Sequence, residues 1–242
     1  VSRSLDAGGF RTAASFLTVV GRAATPTPSA LGWFPVVGAA IGAGVGLAWW
    51  GADQLWPPLL AAVVAVLADL VLTGALHHDG LADSADGLLP HADRERRLAI
   101  MRQPDVGTFG VMALATTTLV RVGGFAAVDP RPLTIAGLWC GSRTAMAVIA
   151  RTRPYARASG IADAFLGGSA ASVGLLGAVT ALALVLVGSG LPGAAALVAL
   201  AAGAALVMSL AARRIGGFTG DVLGAAGLVG ESAGLLVLAA RW

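Results

Sequence analysis

Seven apolar stretches, at 33–51, 58–76, 107–128, 132–150, 171–188, 192–212 and 222–240, leave this chain few folds to choose from. Each is close to the ~20 residues that carry a helix across the hydrocarbon core of a bilayer. Lipid offers no hydrogen bonds to a bare backbone, so these stretches are expected to be helices that satisfy themselves. Composition agrees, with 57% hydrophobic and only 12% charged residues and a mean hydropathy of +0.81, where soluble domains carry roughly 25% charged residues. The expected fold is all-α: a polytopic integral membrane helical bundle of about seven transmembrane helices, built as one domain over residues 1–242. Gly38, Gly42 and Gly46 recur every fourth residue in the first span, a surface that a second helix can approach closely.

Ahead of the spans, Phe10, Ala14, Leu17 and Gly21 recur at helical spacing. That pattern fits an N-terminal amphipathic helix lying in the interface. A secretory signal is the competing reading, because Arg11, a short apolar run and Arg22-Ala23-Ala24 follow in order. The later spans need no such leader.

The basic charge is all arginine, and its placement sets an orientation. Arg3, Arg11 and Arg22 precede the first span; Arg94, Arg96, Arg97 and Arg102 follow the second; Arg151, Arg153 and Arg157 follow the fourth; Arg213 and Arg214 follow the sixth. The other side holds only Arg131 and Arg241. By the positive-inside rule the arginine-rich loops are cytoplasmic, in the cytoplasmic (inner) membrane. The arginines lie between apolar runs and no basic, aromatic-interleaved patch occurs, so no nucleic-acid partner is expected. The lone Cys140 excludes a disulfide framework and a thiolate zinc site.

On that same side, Asp79, Asp83 and Asp86 fall within one short segment. If the second helix continues past His78, their i, i+4, i+7 spacing puts them within ~60° of arc on one face. Carboxylates so close repel one another and raise each other's pKa unless a cation neutralises them. Hard oxygen ligands suit magnesium or manganese, ions that bridge carboxylates to substrate phosphates. Zinc is disfavoured, because adjacent His77 and His78 point to different helix faces. Gly80 and Gly87 would let the backbone bend. The bland reading is a solvated acidic helix end paired with Arg94 or Arg97. Arg94, Arg97 and Arg102 share one broad face of a short helix and suit phosphate contact, although anchoring to anionic lipid explains any single arginine as well. The glycine-rich turn Gly216-Gly217-Phe218-Thr219-Gly220-Asp221 opens the last helix and leaves N–H groups for an anion or for an aspartate cap. Asp69, Arg121, Arg143 and Glu231 lie within spans, where they are too costly to face lipid and must pair or line a cavity.

The run from His77 to Gly87 resembles the H-x-D-G-L-A-D-x-x-D-G signature of the cobalamin (cobamide) synthase family, the adenosylcobinamide-GDP ribazoletransferases. The resemblance extends through Phe16-Leu17-Thr18, Phe34-Pro35, Arg94 to Met101-Arg102, Gly107-Thr108-Phe109-Gly110, Ser142-Arg143, Tyr155-Ala156-Arg157 and Gly216 to Ala225. Gln103-Pro104-Asp105 departs from the D-S-R expected after Met-Arg. The resemblance implies a magnesium-dependent transferase that joins adenosylcobinamide-GDP to α-ribazole or its 5′-phosphate and releases GMP. A ribazole hydroxyl attacks the cobinamide-side phosphorus. It assigns Asp79, Asp83 and Asp86 to one or two magnesium ions, with manganese as the substitute, and Arg94, Arg97, Arg102, Arg157, Thr219 and Gly220 to substrate. Asp83 belongs to the catalytic group, and the base stays open between Asp221, which is also a candidate metal ligand, and His77. The expected partners are these small molecules and membrane lipids. A homo-oligomer or a complex with other cobalamin-biosynthesis enzymes stays open.

Two alternatives are weaker. A CDP-alcohol phosphotransferase would need arginine where Asp83 follows Ala82, and a later carboxylate pair that is missing here. A small cation or metabolite transporter would use Asp69, Arg143 and Glu231 at mid-membrane, whereas the dense chemistry of this chain lies in its loops.

Overall fold

The computed structural model describes residues 7–21, 27–157 and 170–242. Arg3 and Arg22, counted above in the orientation, lie outside the described residues. Ten helices are described: α1 (Ala7–Leu17), α2 (Ala30–Asp53), α3 (Pro58–Thr73), α4 (Leu76–Leu88), α5 (Arg94–Ile100), α6 (Thr108–Ala126), α7 (Pro132–Thr152), α8 (Ala170–Ser189), α9 (Leu191–Ile215) and α10 (Gly220–Leu238). The six helices α2 and α6–α10 are each long and apolar enough to cross a bilayer, so this is a multi-pass membrane protein. Proline stands in the first turn of α3, α7 and α9, where its missing N–H costs no helical bond.

The expected second span, 58–76, is where the chain departs most from the sequence reading. Its helix stops at Thr73. Gly74, at φ 60°, and Ala75, at φ 56°, both turn left-handed. The Ala75 N–H reaches the Leu70 carbonyl at 2.9 Å and the Gly74 N–H reaches Val71 at 3.4 Å, the paired bonds of a Schellman ending. The chain restarts as α4 with its axis turned by 90°. The aspartates therefore lie on a separate helix, not on an extension of the span. α3 is the long helix that returns the chain between α2 and α6, and its 16 residues reach ~24 Å at 1.5 Å per residue. α4 is shorter, at 13 residues, and carries the three aspartates, so the expected single span is broken at Gly74–Ala75 into two helices.

The glycine repeat of α2 receives α7. A Cβ on Gly38 would stand 2.5 Å from the Trp139 carbonyl oxygen, one on Gly42 2.5 Å from that of Ile135, and one on Gly46 2.7 Å from Pro132 Cα. Three glycines in register thus let α7 pack directly against the α2 backbone. α1 lies along α2, burying Ala13 and Leu17 and leaving Phe10 half exposed, with Phe10 edge-on to Trp33 at 5.4 Å. A helix stands where the sequence led to one, but its buried face runs through Gly9, Thr12, Ala13 and Leu17; of the expected stripe only Leu17 is fully buried, and Gly21 lies beyond the helix.

Inside the bundle four helices contribute to one ion network. Arg121 of α6 donates to Asp69 of α3 at 2.7 Å and to Glu231 of α10 at 2.9 Å, and Arg143 of α7 pairs with the other Glu231 oxygen. Trp139 Nε1 donates to the second Asp69 oxygen at 2.9 Å, and the Arg121 guanidinium lies 5.0 Å over the Trp139 ring. Two cations and two anions close without net charge, which is the form in which ionised groups persist away from water.

The arginine-rich loops gather at one end. Arg94 donates to the carbonyls of Ile215, at 2.9 Å, and Ala156, at 2.7 Å, while Arg151 reaches the Pro28 carbonyl at 3.2 Å. Arg131 lies at the opposite end, 3.4 Å from the Gly188 carbonyl.

Candidate active site

The acidic face of α4 meets the start of α10. Gly80 is why they meet so closely: a Cβ there would stand 2.8 Å from the Asp221 carbonyl oxygen and 3.1 Å from its Cα. Gly80 is thus a packing surface, not a bend, and Gly87 likewise accommodates the Met101 side chain. Asp79 is exposed, and Asp83 and Asp86 are half-buried on the same face. Burial raises the Asp83 pKa to about 6, helped by the charges of Asp221, Asp79 and Asp86 and opposed by Arg157. A carboxylate held that high marks a place that gains from a cation.

Asp221 is anchored at one oxygen. Its Oδ2 accepts from Arg157 at 2.9 Å and from the Thr219 hydroxyl at 3.1 Å. Thr219, expected to touch substrate, is fully buried as the N-cap of α10 and accepts the Val222 N–H at 3.3 Å. Gly220 is exposed beside it, and a Cβ there would meet nothing within 4 Å.

A two-stranded clip delivers Arg157. Tyr155 and Phe218 form an isolated parallel bridge, with Ala156 N donating to Phe218 O at 2.8 Å and Phe218 N donating to Pro154 O at 3.0 Å. Gly217 makes this contact feasible, because a Cβ would fall 2.1 Å from the Pro154 carbonyl oxygen. Arg157 then reaches both Asp221 and the Met101 carbonyl, at 3.2 Å.

Two residues assigned to ligands from the sequence are committed elsewhere. Both oxygens of Asp86 accept backbone donors at the start of α6, from Gly107 N at 2.7 Å and Gly110 N at 2.9 Å. It caps that helix from a distance, and glycine is present at both positions because a Cβ would strike the carboxylate. Arg97 is 2% exposed, with one guanidinium nitrogen donating to the Gly87 and Leu88 carbonyls at 2.9 and 2.8 Å. It closes the C-terminus of α4. Arg94 uses two donors as a tie between loops, yet with Arg102 and Arg157 it also lines an open crevice of about 490 Å3.

His77 is buried, with Nδ1 at 3.5 Å from the Arg143 guanidinium, where the ion network ends. Among the described residues, no three His, Cys, Asp or Glu side chains are gathered tightly enough to enclose a cation by themselves. Asp79, Asp83 and Asp221 are hard oxygen donors, of the kind that suits an ion which keeps water and completes its shell with phosphates.

The chain is thus a helical membrane bundle in which the acidic face of α4 and the start of α10 meet Arg157 at the edge of an arginine-lined crevice. The family model for cobalamin-5-phosphate synthase matches residues 9–239. The chain belongs to that family. It is 38% identical to the adenosylcobinamide-GDP ribazoletransferase of Chlorobaculum tepidum, over 93% of this chain and 91% of that protein. It is 37% identical to the one of Bradyrhizobium diazoefficiens, over 95% and 92%, and 41% identical to the one of Azorhizobium caulinodans, over 79% and 76%. No solved structure matches the chain.

Proposed function

We propose that the chain is an adenosylcobinamide-GDP ribazoletransferase, joining adenosylcobinamide-GDP to α-ribazole or its 5′-phosphate and releasing GMP. The observation that carries this reading is the convergence of Asp79, Asp83, Asp221 and Arg157 in a chain matched by the family along nearly its whole length. The arginine-rich end faces the cytoplasm in the inner membrane, by the positive-inside rule.

In the reaction, the acceptor hydroxyl oxygen bonds to the cobinamide-side phosphorus and the anhydride bond to the GMP phosphate breaks. GMP leaves with that electron pair. The hydroxyl proton passes to Asp221, whose Oδ2 is fixed by Arg157 and Thr219 while Oδ1 makes no hydrogen bond among the described residues. His77 is a poorer base. Arginine only donates, so its contact with Arg143 calls for a proton-free Nδ1 and leaves the proton on Nε2. Asp79 and Asp83 would hold magnesium, or manganese in its place, as one or two ions. When bound, such an ion neutralises phosphate charge and makes the phosphorus easier to attack. Arg94, Arg102 and Arg157 bind the pyrophosphate and the departing GMP.

The test is GMP release by the purified, lipid-reconstituted protein given adenosylcobinamide-GDP, α-ribazole and magnesium. Turnover is expected for the wild type, and its loss in Asp83→Ala with membrane insertion retained. A wild-type protein that releases no GMP and forms no completed corrinoid overturns the reading.

A further inference from the structure

Between α1, α2, α4, α7 and α10 lies a cavity of about 350 Å3 whose two sides differ in chemistry. The lining from α1, α2 and α7 is apolar, with Phe16, Leu31, Phe34 and Met146; α4, the 155–157 segment and the start of α10 supply His77, Asp79, Arg157 and Asp221. Phe16 and Phe34 lie nearly parallel, with ring centroids 6.0 Å apart and planes inclined by 21°. His77, 3% exposed, lines the cavity with an Nε2 that has no hydrogen-bond partner among the described residues. A buried nitrogen left in that state is costly unless a ligand supplies an acceptor. The cavity shares Tyr155 and Arg157 with the arginine crevice, so the two meet at the arginine that anchors Asp221.

We propose that this cavity seats the nucleoside acceptor, with an apolar aromatic base against Phe16, Phe34 and Met146 and the sugar turned toward Asp221 and His77. The inference rests on the transferase reading and adds the division of the site between its two substrates. Volume decides the occupant. Ligand pockets run from ~300 to 1,000 Å3, and this one lies at the small end, adequate for a nucleoside. A corrin macrocycle carrying a nucleotide is several times bulkier and must remain outside, with its phosphates in the arginine crevice. The apolar side offers no partner for the polar edge of a purine, so it selects bases that need none. His77 Nε2–H is then placed to donate to the sugar.

Two variants probe the apolar side without touching the carboxylates. Phe16→Ala removes a half-buried ring from α1, and Ala150→Leu adds bulk to the α7 wall. Binding of α-ribazole to the reconstituted protein, measured by equilibrium dialysis without the second substrate or magnesium, is expected to weaken roughly 10-fold in each. The KM for α-ribazole in GMP release is expected to rise in parallel while that for adenosylcobinamide-GDP holds. A raised KM for adenosylcobinamide-GDP alone, or α-ribazole binding that neither variant alters, overturns the assignment. Wild-type protein that binds α-ribazole but releases no GMP removes the transferase reading and leaves the cavity assignment standing. Wild-type protein that binds no α-ribazole removes the cavity assignment, whatever the turnover.

Discussion

Gly80 of α4 rests against the backbone of Asp221, so closely that one added methyl group would stand 2.8 Å from the Asp221 carbonyl oxygen. This contact joins the two acidic segments of the site. Gly80→Ala is expected to push α4 off α10, at ~1–3 kcal/mol of overpacking, and to lower turnover more than it lowers thermal stability. Gly51, where a Cβ meets nothing within 4 Å, supplies the control. Gly51→Ala should leave GMP release intact and hold or raise the melting temperature, since alanine favours a helix by ~1 kcal/mol over glycine.

Asp86 separates a cap from a metal ligand. Asp86→Ala removes two acceptors from the start of α6 and is expected to cost about 1 kcal/mol of stability. The magnesium concentration giving half-maximal activity should stay within about twofold of wild type, an estimate that follows from the cap assignment. A large shift in that midpoint, with stability unchanged, would return Asp86 to the ligand set.

Asp83 should make the protein respond to acid with an unusual sign. Its folded-state pKa, raised to about 6, means that the folded chain holds this proton more tightly than the unfolded one. The group therefore adds stability as pH falls through about 6 toward the ordinary carboxylate range, and that contribution is lost as pH rises back through 6. Melting temperatures of wild type and Asp83→Asn, measured without magnesium from pH 5 to 7.5, should differ by such a slope. Magnesium, favouring the ionised form, should flatten the slope, and its affinity should weaken below pH 6. Identical pH dependence in the two proteins would remove the crowding that the site is built on.

The ion network offers a test of coupling. Arg121→Met alone strands Asp69 and half of Glu231, an expected loss of ~3–5 kcal/mol. Adding Asp69→Leu should recover part of that loss, because a neutral, apolar pair replaces a broken ionic one. Denaturation in detergent of the two single variants and the double variant gives the coupling directly. Strict additivity would show that Asp69 and Arg121 do not act together.

Much of this architecture can be read from the residue order, and the gaps have physical causes. Lipid forces apolar runs into helices and forbids unpaired charge, so most of the spans are legible, as is the need for Asp69, Arg121, Arg143 and Glu231 to pair or line a cavity. The Gly38, Gly42, Gly46 stripe announced a close partner but not that α7 would be it, since any smooth helix could fit. The break at Gly74–Ala75 was hidden because it falls inside an apolar run, where hydropathy does not distinguish a continuing helix from two. The contacts of Asp86 and Arg97 are hidden for a related reason. Their partners, the α6 amides and the α4 carbonyls, are backbone groups that carry no residue-type signature. Gly80 was visible, but small residues mark bends and close contacts alike, and only the position of α10 separates them.

The placement of Asp221 at the head of α10 has a temporal side. Asp79 and Asp83 leave the ribosome long before the last helix, and Arg143 emerges before its partner Glu231. Until α10 enters the bundle, the growing chain carries one unneutralised guanidinium and an acidic face without its arginine-anchored counterpart. Insertion of that last helix both discharges the interior and assembles the site, so a chain halted before residue 220 would enter the membrane without becoming an enzyme.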